Sequence, residues 1–130
     1  MVISDRSGLP VAARIASGPR NEQKLVVETI DSRFTKALPR LLIGDKAYDS
    51  DPLDAELKKR GIELVAPHHP RHPKTQDARR LRRYRRRWHV ERLIAWLLRH
   101  RRVHTRYESK AGNFMGFVWL ACVRILIRHL

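Results

Sequence analysis

The sequence predicts an α/β domain, and three observations carry that expectation. Two short β-prone runs at the start are split by a polar turn; an apolar run ends abruptly in charge and is followed by a helix and a second apolar run; and two helical stretches fill the C-terminal half, one arginine-rich and one apolar. With 130 residues, 42% of them hydrophobic, the chain is long enough to fill one core. No internal repeat or low-complexity linker divides it, so residues 1–130 read as a single domain.

Val2-Ile3-Ser4 and Leu9 to Ala16 flank Asp5-Arg6-Ser7-Gly8, whose polar residues and glycine suit a tight reversal, so the chain opens on a hairpin. Gly18-Pro19 ends it, and Asn21 caps a predicted helix running to about Phe34 with Leu25, Val26 and Ile30 facing inward. Leu41-Leu42-Ile43-Gly44 stops at Asp45, as a buried strand does at its C-terminal edge. Asp51-Pro52 starts a helix, Gly61 stops it and Ile62 to Val65 is a second strand, which makes a small βαβ unit. Pro67 to Pro73 holds three prolines and three histidines and reads as a connector, without the spacing of a structural zinc site. Leu81 to Arg102 reads as one continuous basic helix, followed by a turn around His104 to Gly112 and an apolar core helix from Phe114 to Leu130. Trp88, Trp96 and Trp119 are expected in the core.

Twenty-eight Lys and Arg against thirteen Asp and Glu give a formal charge of +15, a self-repulsion that points to a polyanionic partner. The charge gathers in runs such as Arg82-Arg83 and Arg85-Arg86-Arg87, which favours nucleic acid over a membrane surface. Arg124 and Arg128 interrupt the C-terminal apolar stretch, which is too short to span a bilayer, so no membrane partner is expected. A lone Cys122 and the lack of a signal peptide fit a reducing, cytoplasmic setting.

Glu91 is the most informative residue. At about 100° per residue Tyr84, Arg87, Glu91, Ile94 and Leu98 share one stripe of a helix, and a carboxylate among apolar neighbours calls for a cation or a metal. Arg87, at i−4, is the cation. Asp45 at a strand edge and Glu91 on a helix crossing the sheet form a pair of the kind that holds Mg²⁺ for phosphodiester chemistry. The plainer alternatives are an exposed i,i+4 pair worth a few tenths of a kcal/mol and a turn aspartate. Asp49, Asp51 and Asp54 read as turn, N-cap and first-turn acids.

The run Ile43-Gly44-Asp45-Lys46-Ala47-Tyr48-Asp49-Ser50 resembles the second-aspartate motif of IS5-type insertion-sequence transposases (the IS4/IS5 superfamily, DDE class). Tyr84-x-x-Arg87-x-x-x-Glu91 is similar to their signature around the catalytic glutamate, and Thr105-Arg106-Tyr107-Glu108, Asn113-Phe114 and the apolar final helix are similar to their tail. The resemblance implies a partial ribonuclease-H-like fold and DNA transposition, in which Asp45 and Glu91 are metal-binding catalytic acids using Mg²⁺ or Mn²⁺. Tyr84 and Arg87 then orient Glu91 or meet the DNA backbone, with Arg83, Arg86 and Lys46 among the phosphate contacts. Where the family signature carries a lysine seven residues after the glutamate this chain has Leu98, so that the DNA contact is either lost or passed to Arg99.

In the family the first catalytic aspartate lies on a strand before the opening hairpin. The expectation is therefore a C-terminal fragment of the catalytic domain, first strand missing, catalytically incomplete alone and completed by an upstream half through a frameshift fusion. Asp5 has the setting of a turn residue and is not taken as the missing acid. The partners implied are DNA (transposon ends and target) and a second copy of the chain as a homo-oligomer, at the nucleoid. The alternatives are a non-enzymatic basic nucleic-acid-binding module and a decayed remnant.

Overall fold

The computed structural model describes residues 1–16, 22–68 and 82–129. The expectations that rest on Gly18-Pro19, Asn21, His69 to Pro73 and Leu81 lie outside them.

Strands β1 (Val2–Ser4) and β2 (Pro10–Ala13) pair antiparallel with Val2 opposite Ala13 and Ile3 opposite Ala12. Asp5 builds the turn between them: its Oδ1 accepts the backbone N–H groups of Ser7 and Leu9, each at 2.8 Å. Gly8 closes the turn at φ +82°, the left-handed region that a side chain disfavours, and a Cβ there would lie 2.6 Å from Nη2 of Arg92. Arg92 is stacked between two indoles, 4.6 Å from the Trp88 ring and 4.8 Å from that of Trp96, and donates to the Ser7 carbonyl. Gly8→Ala is therefore expected to cost about 1–2 kcal/mol from the backbone alone, with more from displacing Arg92; urea unfolding of the variant measures it.

Side chains alternate across a strand, and here each face of the hairpin meets a different core. Val2 and Ala13 join Leu93, Leu97, Met115, Val118, Ala121, Cys122 and Ile125. Met1 and Ile3 pack instead on Val26, Ile30, Leu53, Leu57 and Ile62. The second core is supplied by α1 (Glu22–Asp31), α2 (Asp51–Lys59) and the strands β3 (Leu41–Ile43) and β4 (Glu63–Val65). β3 and β4 are parallel, with Leu41 opposite Glu63 and Ile43 opposite Val65, and α2 lies between them in sequence, so the βαβ unit is present as expected. Ser50, one residue before Asp51, occupies the N-cap of α2. Among the described residues the hairpin and the parallel pair remain two separate two-stranded sheets. β3 is consequently half-buried where the sequence predicts a buried strand. Arg60, just past α2, ties the two helices through Asp31 at 2.6 Å and Glu56 at 3.3 Å.

The predicted continuous helix over Leu81 to Arg102 is three pieces. Arg82–Arg87 winds as a 3-10 helix, α3 spans Trp88–Leu98, and after an extended His100 the short α4 covers Arg101–His104. Like charges recurring at i+3 and i+4 destabilise an α-helical turn, and the tighter 3-10 winding eclipses residues i and i+3, which brings Arg87 against Tyr84. At the other end, Arg99 and His100 donate back only three residues, to Trp96 and Leu97, and the chain leaves the helix.

α3 also buries a different face from the one expected. Leu93 and Leu97 are buried, whereas Trp88, Ile94 and Leu98 are exposed, and the side chain of Glu91 is 56% exposed. Glu91 thus sits in the first turn of a helix on a solvated stripe, where the helix dipole favours a carboxylate. The final helix α5 (Ala111–Ile127) buries Met115, Val118, Ala121, Cys122 and Ile125, and leaves Trp119, Leu120, Val123 and Ile127 exposed. Of the three tryptophans expected in the core, only Trp96 packs against it. Burial pushes the Cys122 thiol up to about 11. A thiol reagent at pH 8 is expected to leave Cys122 unmodified in the folded chain and to label it in denaturant.

Candidate active site

Asp45 follows β3 after Gly44 and caps the 3-10 turn Lys46–Tyr48: its Oδ1 accepts the Lys46 backbone N–H at 2.6 Å. Gly44 prolongs the parallel pairing by donating to the Val65 carbonyl, and a Cβ on it would press on Tyr48 at 3.1 Å, so a bare backbone lets the turn fold close against the strand end. These contacts fix where Asp45 emerges and leave its Oδ2 free of the turn.

Oδ2 of Asp45 meets Nη1 of Arg87 at 3.4 Å, and Nη2 of the same guanidinium meets Oε1 of Glu91 at 2.9 Å. One arginine therefore joins the two acids singled out in the sequence, although they lie on different elements. The Tyr84 hydroxyl accepts a further hydrogen bond from Nη1, and the Arg87 guanidinium carbon stands 5.3 Å from the Tyr84 ring. The Arg87 guanidinium is held above its ordinary value, first by the hydrogen bond to Glu91, then by Tyr84 and by the charges of Glu91 and Asp45, against the opposing cost of burial. Tyr84, Arg87, Asp45 and Glu91 thus form one cluster, with the carboxylates of Asp45 and Glu91 each about half exposed (50% and 56%).

The remaining sequence-predicted residues are distributed differently. Arg83 and Arg86 are exposed beside the cluster and make no ion pair among the described residues. The Lys46 side chain is exposed next to Asp45. Arg99 closes the far end of α3, about 12 Å along the helix from Glu91 at 1.5 Å per residue, and is not gathered into the cluster.

One pair was missed in the sequence. Asp49 is nearly buried, its side chain 8% exposed, and binds Nδ1 of His68 at 2.9 Å. Parallel pairing of β3 and β4 puts the loops after both strands on one edge of the sheet, and that register was the available signal for joining a residue after Ile43 to one after Val65.

Among the described residues no group of three or more His, Cys, Asp or Glu side chains could hold a metal ion. Two half-exposed carboxylates converging on one cation suit a single hard ion that keeps several waters, as Mg²⁺ does. They are too few for a cage around two ions. Among the described residues no helix is long and apolar enough to cross a membrane.

Residues 1–126 match the family model described as the transposase DDE domain. The chain is 30% identical over 132 residues to a Burkholderia cepacia protein named "Putative transposase for insertion sequence element IS402", an alignment covering 95% of this chain and 60% of that relative. The chain thus spans about 60% of the length of the curated relative it matches. No solved structure gives a significant match. With a family model matched over nearly its whole length, the chain belongs to the DDE-domain transposases.

Proposed function

We propose that the chain is part of an IS5-type transposase of ribonuclease-H-like fold that cleaves and joins DNA, with Asp45 and Glu91 as two of its metal-binding acids. The observation that carries this reading is the convergence of both acids on the Arg87 guanidinium. Two carboxylates this close demand positive charge, and in the protein by itself Arg87 provides it. A divalent ion such as Mg²⁺ or Mn²⁺ bound by the pair supplies Lewis acidity to the scissile phosphodiester. Tyr84 accepts a hydrogen bond from Nη1 of Arg87, so the guanidinium keeps one partner when its carboxylate partners engage a cation. Arg83, Arg86 and Lys46 present exposed charge for phosphates around the cluster, where each neutralised phosphate steepens the salt dependence of binding. A cytoplasmic, nucleoid-associated location follows from this reading, and a homo-oligomer working on paired DNA ends is consistent with it.

The test uses the complete transposase containing this chain and a DNA substrate carrying the element's end. Strand cleavage is expected with Mg²⁺ or Mn²⁺ and not with EDTA. Equal cleavage in EDTA sinks the proposal. Arg87→Gln, which removes the competing charge from between the acids, is expected to tighten Mn²⁺ binding to the chain, read by the loss of the free-ion electron paramagnetic resonance signal.

A further inference from the structure

A second basic site lies away from the acid cluster. The end of α3 and α4 face α5 across an open cleft of about 280 Å³, lined by His100, Arg101 and Arg102 on one side and Phe117, Leu120 and Arg124 on the other. No acidic side chain lines it. We propose that this cleft takes one unpaired nucleotide of a nucleic-acid strand, its phosphate at Arg101 and Arg124 and its base against Phe117 and Leu120.

Three observations carry this. First, the arginines are not alike. Arg102 is already engaged: Nη1 binds Glu108 at 3.0 Å, and its guanidinium carbon lies 5.5 Å from the rings of both Tyr107 and Phe117. Arg101 and Arg124 make no ion pair among the described residues, so their charges are available to a ligand. Second, no acidic side chain lines the cleft, and the nearby Glu108 is already taken by Arg102. His100 is held below its ordinary value, first by burial and then by the positive charges of Arg124 and Arg128, so an anion entering here relieves repulsion that the fold leaves in place. Third, the lining joins that charge to apolar surface. Leu120 is 65% exposed, and the half-buried Phe117 ring lies 5.5 Å from the guanidinium carbon of Arg102. Aromatic rings and guanidinium planes are what unpaired bases stack on. The cleft is too small for a duplex, so a base reaches it only after leaving its stack. An acidic peptide satisfies the charges but makes no use of the ring, which is why a nucleotide is favoured.

The inference rests on the nucleic-acid reading for its ligand class, and the experiment separates the two. The chain is titrated with a short single-stranded DNA carrying 2-aminopurine, with the same strand made abasic at that position, with free deoxyadenosine monophosphate, and with duplex. Expected are a change in 2-aminopurine fluorescence on binding and roughly tenfold weaker binding of the abasic strand, in line with base stacking. Leu120→Ser and Arg124→Gln, both exposed positions that leave the core intact, are each expected to weaken the intact strand and to shrink the difference between intact and abasic strands. Equal affinity of the wild-type chain for intact and abasic strands overturns the cleft, and duplex binding retained in that case leaves the transposase reading standing. Free nucleotide binding as tightly as the strand overturns the strand assignment. A polyglutamate peptide that displaces the strand, and loses affinity in both variants as the strand does, assigns the cleft to acidic protein instead.

Discussion

Glu91→Gln in the complete transposase is expected to cut the rate of metal-dependent strand cleavage by more than about a hundredfold, while DNA binding is kept. Outer-shell partners of metal ligands are worth roughly 10–100-fold in affinity or activity, and a carboxylate proposed to touch the ion should exceed them. The amide keeps the size of the side chain and an acceptor oxygen for Arg87 but surrenders the charge, so the 2.9 Å contact loses its ionic part and an ion there would lose half of the negative charge that Asp45 and Glu91 bring together. Asp45→Asn should match it in kinetics without unfolding the turn. The amide oxygen of asparagine can still accept the Lys46 N–H that now reaches Oδ1, so the turn after β3 survives. Cleavage at wild-type rate in both variants removes the acids from the chemistry and leaves them as partners of Arg87 only. The binding arm of the assay protects the interpretation, because the basic segment around Arg83 and Arg86 is untouched by either change.

Leu93→Ala is expected to destabilise the chain by about 2–5 kcal/mol, the range for truncating a buried leucine. Leu93 is fully buried where α3 meets the hairpin and α5. Against a typical domain stability of about 5–15 kcal/mol, that loss moves the urea midpoint far down while the slope stays the same. Leu98→Ala, on the same helix but 45% exposed, is expected to fall within about 0.5 kcal/mol of wild type. Equal effects at the two positions contradict the packing of α3 described above. The pair of variants therefore tests which face of the helix is inside, the point on which sequence and structure part.

The sequence reads that face wrongly for a physical reason. Trp-His-Val-Glu-Arg-Leu-Ile-Ala-Trp-Leu-Leu is apolar almost all the way round, so periodicity permits a Leu93/Leu97 face as readily as one through Ile94 and Leu98. The hairpin and the final helix decide between them, and neither is a local signal. Trp88 shows the same limit: its ring is covered by Arg92, a cation from the next turn, instead of by the core. Where local chemistry is decisive, the reading holds. Asp5 and Gly8 mark the turn, the abrupt change from Ile43 to Asp45 marks a strand end, and the Glu91–Arg87 spacing of four residues gives their contact. The arrival of Asp45 at the same arginine depends on how the 3-10 segment packs on β3, which no spacing along the chain encodes.

The hairpin acts as a wall with a separate core on each side, and the two acids belong to different rooms. Asp45 hangs from the layer built by α1, α2, β3 and β4, while Glu91 hangs from the layer built by α3 and α5. The spacing of the acids is thus a readout of how two independently packed layers sit against one wall, and Arg87 is a latch across their seam. Any ligand that grips both carboxylates fastens the layers to each other, so amide hydrogens of α2 and α3 should come to exchange as one cooperative unit when it binds.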